Sequence, residues 1–146
     1  MVERATALAA RLSELATEIA TPGRVGTDAV HIETWERHLR LGGERLARRV
    51  YTDAEIEFCE GRPDRLSTRL AAKEAVLKAL GTGVRGVSMD EVEVVSEPSG
   101  RPTLRLHGRA AGIAETLGLS EFEVSLCHEE GFAMAVVFAQ IEEVRG

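Results

Sequence analysis

Apolar and polar positions along the chain follow two periods, one near three to four residues and one of two. Residues 3–20 place Ala5, Leu8, Ala9, Leu12, Leu15, Ala16 and Ile19 at helical spacing, which predicts an amphipathic helix stopped by Thr21-Pro22-Gly23. Val25 to Glu33 then reads as a short strand with one acid, Asp28, near its start. Glu33 to Val50 reads as a helix weakened at Gly42-Gly43, and Thr52-Asp53-Ala54-Glu55 is a capping box opening a second helix through Phe58 and Glu60. After the loop Gly61-Arg62-Pro63-Asp64 comes a run of strong helix formers, Arg69 to Gly83, with Ser67 or Thr68 as the expected N-cap and Gly81 as its stop. Glu91–Glu97 and Thr103–His107 alternate as strands about the turn Pro98–Pro102. Gly108 to Leu117 is a helix of small residues ending before Gly118. Glu121–His128 and Phe132–Gln140 form a second hairpin around Glu129-Glu130-Gly131. The predicted class is α+β: a small antiparallel sheet packed on one long helix.

Chemistry gathers on that long helix. Leu70, Ala71, Val76, Leu77 and Leu80 take its apolar positions, which leaves Lys73, Glu74 and Lys78 for the remaining surface. Glu74 and Lys78 are spaced as an ordinary solvated pair is, worth only about 0.2–0.5 kcal/mol. A carboxylate between two lysines is also what holds a divalent cation and phosphates together. Taken alone, this helix favours the solvated pair.

Composition narrows the classes. A chain of 146 residues with 44% hydrophobic and 29% charged residues fits one soluble globular domain. Aromatics at 4% and a net charge of -6 argue against stacking platforms and against a general nucleic-acid binder. No apolar run reaches transmembrane length, and Glu3, Arg4, Arg11, Glu14 and Glu18 break any secretory signal. Cys59 and Cys127 lack metal-ligand spacing and are expected as buried thiols in a reducing cytoplasm.

Three separated motifs give the chain a family likeness. Gly26-Thr27-Asp28, Lys73-Glu74 with Lys78, and Ser125-Leu126-Cys127-His128 stand in an order and spacing that resembles the holo-acyl-carrier-protein synthase family of phosphopantetheinyl transferases. The likeness spans Arg24 to Gln140, so residues 1–23 are expected as an N-terminal helical extension and 24–146 as the transferase domain. It implies transfer of the 4'-phosphopantetheine arm of coenzyme A to a serine of an apo acyl carrier protein, with Mg2+ as cofactor. Asp28 and Glu74 match the family's metal-binding carboxylates. Lys78 matches the lysine that neutralises the transferring phosphoryl group, and His128 a histidine near the nucleotide or reaction centre. Arg69 and Lys73 match basic positions near the coenzyme A phosphates; Gly100-Arg101-Pro102 matches a Gly-Lys-Pro turn at the nucleotide. The proton acceptor is left open between a metal-bound water and Glu74 acting through water. Small members of the family assemble as trimers with each nucleotide site between neighbouring subunits, so a homotrimer is expected, with no membrane or nucleic-acid partner.

The chain also departs from the family pattern. His31 and Thr34 stand where the family carries Glu and Arg, the latter expected to engage the carrier protein; Arg37 or Arg40 is the available substitute. Leu70 replaces an aromatic and Cys127 a serine. These changes point to a specialised member serving one carrier protein of fatty-acid or polyketide assembly. The competing reading is a degenerate homologue that binds coenzyme A or a carrier domain without transferring the arm.

Overall fold

A computed structural model describes residues 3–4, 6–11, 22–83 and 85–142. Residues 3–4 and 6–11 are helical as expected; the rest of the predicted N-terminal helix lies outside the described residues. The ordered core runs β1 (Gly23–His31), α1 (Ile32–Val50), α2 (Asp53–Cys59), α3 (Pro63–Leu80), a short 3-10 turn (Met89–Glu91), β2 (Val92–Ser96), β3 (Pro102–Leu106), α4 (Gly108–Thr116), β4 (Leu119–Glu129) and β5 (Phe132–Ile141). The strands form two antiparallel pieces: β1-β5-β4, and the hairpin β2-β3. This is the α+β arrangement read from the sequence.

The long helix is central in the literal sense. From Ser67 to Leu80 every residue of α3 is buried except Glu74 and Lys78. Such a helix must be walled in on nearly all sides. Its alanines, Ala71, Ala72, Ala75 and Ala79, are 2% exposed or less, and so are Ala133, Ala135, Val137 and Ala139 on the inner face of β5. Small side chains let helix and sheet approach closely. The tightest contact is at Gly26, where a Cβ would stand 1.8 Å from the Ala75 carbonyl oxygen. Strand alternation puts Phe132, Met134, Val136 and Phe138 on the other face of β5, each between 39% and 49% exposed.

Local signals explain most boundaries. Thr52 and Glu55 make the expected reciprocal cap of α2, and Gly81 ends α3 in the left-handed conformation at φ 75°. The weak point in α1 is a break at Gly43, φ 61° and ψ -158°. The expected N-cap of α3 at Ser67 or Thr68 is corrected: the cap is Arg62, five or six residues earlier, with Pro63 in the first turn, where its missing N–H is harmless. β4 likewise starts earlier, at Leu119, with a register shift between Ser120 and Glu123. No helix among the described residues is long and apolar enough to cross a membrane.

Candidate active site

Asp28 occupies the middle of β1 on the same face as Gly26 and Val30, the face turned to α3. Because Gly26 lets the strand lie against Ala75, the Asp28 carboxylate meets the helix one residue away, at Glu74. Burial first, and then a hydrogen bond and the like charge of Asp28, lift the Glu74 carboxyl to about 7. That hydrogen bond exists only while one of the two acids keeps a proton. With both acids ionised, Asp28 Oδ2 is buried without a partner. Lys78 supplies the local positive charge: its Nζ is 2.9 Å from Asp28 Oδ1 and 2.9 Å from the Thr27 carbonyl oxygen. The lysine is largely exposed, whereas the aspartate is not. Leu77 and Gly83 complete a shallow apolar hollow beside Glu74 and Lys78. The fold therefore brings Asp28, Glu74 and Lys78 together in one cluster.

A second group lies at the other end of α3. Arg69 is five residues before Glu74, which on a helix is about 140° around the axis. It lines a cleft of about 300 Å³ with Arg65, Gly100, Pro102, Cys127 and His128. Its guanidinium stacks 4.5 Å above the Phe58 ring and donates to Thr68 Oγ1 and Ser96 Oγ at 3.1 Å. The Nε is buried without a partner. Burial lowers the Arg69 pKa, with Arg65 adding to the effect and Cys59, Glu55 and Asp64 opposing it. His128 Nε2 stands 3.7 Å from Asp64 Oδ2 at the cleft's edge. The sequence reading missed Arg65, although its spacing of four from Arg69 puts both on one helix face.

Three expectations change. Lys73 is not on the surface with Glu74 and Lys78; its amine is fully buried, bonded to Glu55 Oε1 at 2.6 Å and to the carbonyls of Met89 and Val92. No exposed edge remains at which it could meet a phosphate. Arg101 does not line the cleft, although its neighbours Gly100 and Pro102 do, and it makes an exposed pair with Glu123 at 2.7 Å. Of the two thiols expected to be buried, Cys59 is and Cys127 is not. Burial raises the Cys59 thiol to about 11. At the departing positions, the His31 side chain caps α1, accepting from the Thr34 N–H, with Thr34 Oγ1 2.8 Å from Nδ1.

Among the described residues no three His, Cys, Asp or Glu side chains cluster as a complete metal cage. The arrangement is a two-carboxylate site open to outside ligands, on a helix whose far end carries a basic cleft. The cleft is not lined by Asp28, Glu74 or Lys78.

The sequence pattern of the 4'-phosphopantetheinyl transferase superfamily matches residues 24–137. The chain is 46% identical over 118 residues to the holo-[acyl-carrier-protein] synthase of Gloeobacter violaceus, covering 78% of this chain and 89% of that protein. It is 40% identical over 119 residues to the synthase of Koribacter versatilis, covering 79% and 95%. Among solved structures, the Helicobacter pylori synthase in complex with coenzyme A is similar at a TM-score of 0.72 with 25% identity, covering 79% of this chain and 98% of that one. The Neisseria meningitidis synthase is similar at 0.71 with 36% identity, covering 80% and 96%.

Proposed function

This chain belongs to the 4'-phosphopantetheinyl transferase superfamily, and from that premise we propose how its residues carry out the reaction. It transfers the 4'-phosphopantetheine arm of coenzyme A to a serine of an apo acyl carrier protein, giving holo carrier protein and 3',5'-adenosine bisphosphate. The bond that breaks is the phosphoanhydride, so negative charge grows on the diphosphate oxygens as the serine oxygen bonds to phosphorus. Residues that answer that charge are the ones to look for.

The observation that carries the assignment is the pairing of Asp28 with Glu74. Two adjacent carboxylates, one of them with a buried unpartnered oxygen, share a single lysine. Mg2+ suits this donor set: it takes one or two protein carboxylates and completes its octahedron with phosphate oxygens and water. When bound there it supplies charge neutralisation at the diphosphate. Lys78 stands on the exposed side, and with two of its three N–H donors on Asp28 and Thr27 it keeps one for a phosphoryl group, an electrostatic role. Arg69, with its buried unpartnered Nε, and Arg65 would hold phosphates at the nucleotide end, with Pro102 and His128 walling the cleft.

One chain offers the two halves of the site on different sides of α3. We therefore assign the complete site to neighbouring copies, arranged as a homotrimer. The exposed row Phe132, Met134, Val136 and Phe138 supports this, since apolar area of that kind calls for a covering surface. The expected compartment is the cytoplasm, in keeping with two free cysteines among the described residues.

The test is direct. Incubation with coenzyme A, Mg2+ and an apo carrier protein should add one phosphopantetheine group, read by intact mass. Omission of the metal or an Asp28→Ala change should abolish the product. An unmodified carrier protein under complete conditions, across several carrier proteins, would overturn the assignment.

A further inference from the structure

Lys73 has no place in the transfer chemistry, yet its ammonium is fully buried with an acceptor for each of its three N–H donors. Its three N–H donors meet three acceptors on three segments: Glu55 Oε1 on α2, the Met89 carbonyl on the 3-10 turn and the Val92 carbonyl at the start of β2. Glu55 is held in turn, accepting from Thr52 N–H and Val94 N–H at 3.0 Å each. Both side chains are no more than 1% exposed. A buried ion pair seldom stabilises more than apolar side chains of the same volume would; its best-attested use is to fix register.

The Gly26–Ala75 contact sets how closely α3 approaches β1, and the rotation of the helix needs a second anchor. Small residues dominate both sides of this packing: Ala72, Ala75 and Ala79 of α3 are buried, as are Ala133, Ala135 and Ala139 of β5. Ridges one methyl high interlock weakly, so this contact resists separation better than it resists turning or sliding. A turn of one residue, about 100°, would replace Glu74 by a neighbour in front of Asp28. The Lys73 socket lies on the α2 and β2 side of the helix, and Glu74 is the next residue in the chain.

We propose that Lys73 is a positioning residue: seated in the socket made by Glu55, Met89 and Val92, it sets the rotation of α3 that brings Glu74 to Asp28. The proposal rests on the reading of Asp28 and Glu74 as cation ligands. Its effect is transmitted through the helix, without contact with coenzyme A or the carrier serine.

The test uses Mn2+ as probe on the full chain, followed by its paramagnetic resonance. Lys73→Met alone strands the Glu55 charge in the interior and threatens folding. The working variant is Lys73→Met with Glu55→Gln, which removes both charges together. Folding is checked by circular dichroism, and Leu119→Ala, distant from the socket, serves as a destabilised control. The expected result is about tenfold weaker Mn2+ binding in the double variant, the scale of losses when a support behind a metal ligand is removed. Binding of 3',5'-adenosine bisphosphate at the Arg69 cleft stays unchanged, and the control keeps its Mn2+ affinity. Unchanged Mn2+ affinity in the folded double variant overturns the proposal, and so does an equal loss in the control. Wild-type protein that binds no Mn2+ would instead sink the cation reading, and this proposal with it.

Discussion

The two charged clusters of α3 are built on opposite plans. At Asp28 and Glu74, two acids are pressed together by backbone contact, with Gly26 against Ala75 leaving no room between strand and helix. At Arg69, the cleft is assembled from the start of α3, the β2-β3 turn and the end of β4, and its walls are separate segments. The first is rigid and carries like charges at close range. The second is open and satisfies its arginine partly with hydroxyls and an aromatic face. The contrast teaches where to expect a threshold response to damage and where a graded one.

The largest effect should follow removal of an acid. Glu74→Gln keeps the shape and removes the charge, and transfer is expected to fall about 10³-fold, the scale of a lost electrostatic contact to a developing charge. Retention of 3',5'-adenosine bisphosphate binding in the same variant would confirm that the two clusters act separately. Next comes Gly26→Ala. The added methyl must push β1 from α3, and misplacement by about 1 Å costs about 10² in rate. Comparison of kcat with KM for coenzyme A decides it: the fall belongs in kcat. A Gly26→Ala protein of normal kcat would show that the strand contact does not set the acid pair.

The open cluster should respond more gently. Arg69→Met removes a charge-assisted phosphate contact while keeping much of the stacked volume on Phe58. KM for coenzyme A is expected to rise about tenfold with kcat nearly kept. A loss confined to kcat would place Arg69 in the chemical step and blur the contrast. The smallest effect concerns the thiols. Cys127, at the cleft, should react with a chromogenic disulfide at pH 8 in the native protein, and 3',5'-adenosine bisphosphate should slow it. Cys59, buried and raised to about 11, should react only on unfolding. Two fast thiols in the native protein would contradict the buried environment of α2.

Much of this was legible in the chain itself, through signals that are local or carried by family spacing. The Thr52–Glu55 box, the Gly81 stop and the Pro98–Pro102 turn each act through a few neighbouring residues, and each formed. Asp28, Glu74 and Lys78 were brought together as the family likeness implied. Lys73 was not legible, because an alanine-rich helix shows no contrast between faces: a lysine beside Ala71, Ala72 and Ala75 looks solvated whichever way it points. Its partner Glu55 was hidden by its own capping signal, since one carboxylate serves both the cap and the socket. The exposure of Cys127 was available in the alternation of β4. Phe122, Val124 and Leu126 turn inward by half, so Glu123, Ser125 and Cys127 turn out. Arg101 was misplaced for a different reason: the turn shape fixed its backbone, but Glu123 across the strands decided where its side chain went.

The outer row of β5 has a consequence before any chemistry begins. A single copy leaving the ribosome displays Phe132, Met134, Val136 and Phe138 side by side on an otherwise finished strand. If a sister copy covers this strip, as proposed, chaperones and aggregates compete for it until that copy arrives. Under that association, the yield of usable protein would track the rate of synthesis as well as the stability of the chain, because slow production would starve the encounter that hides the strip.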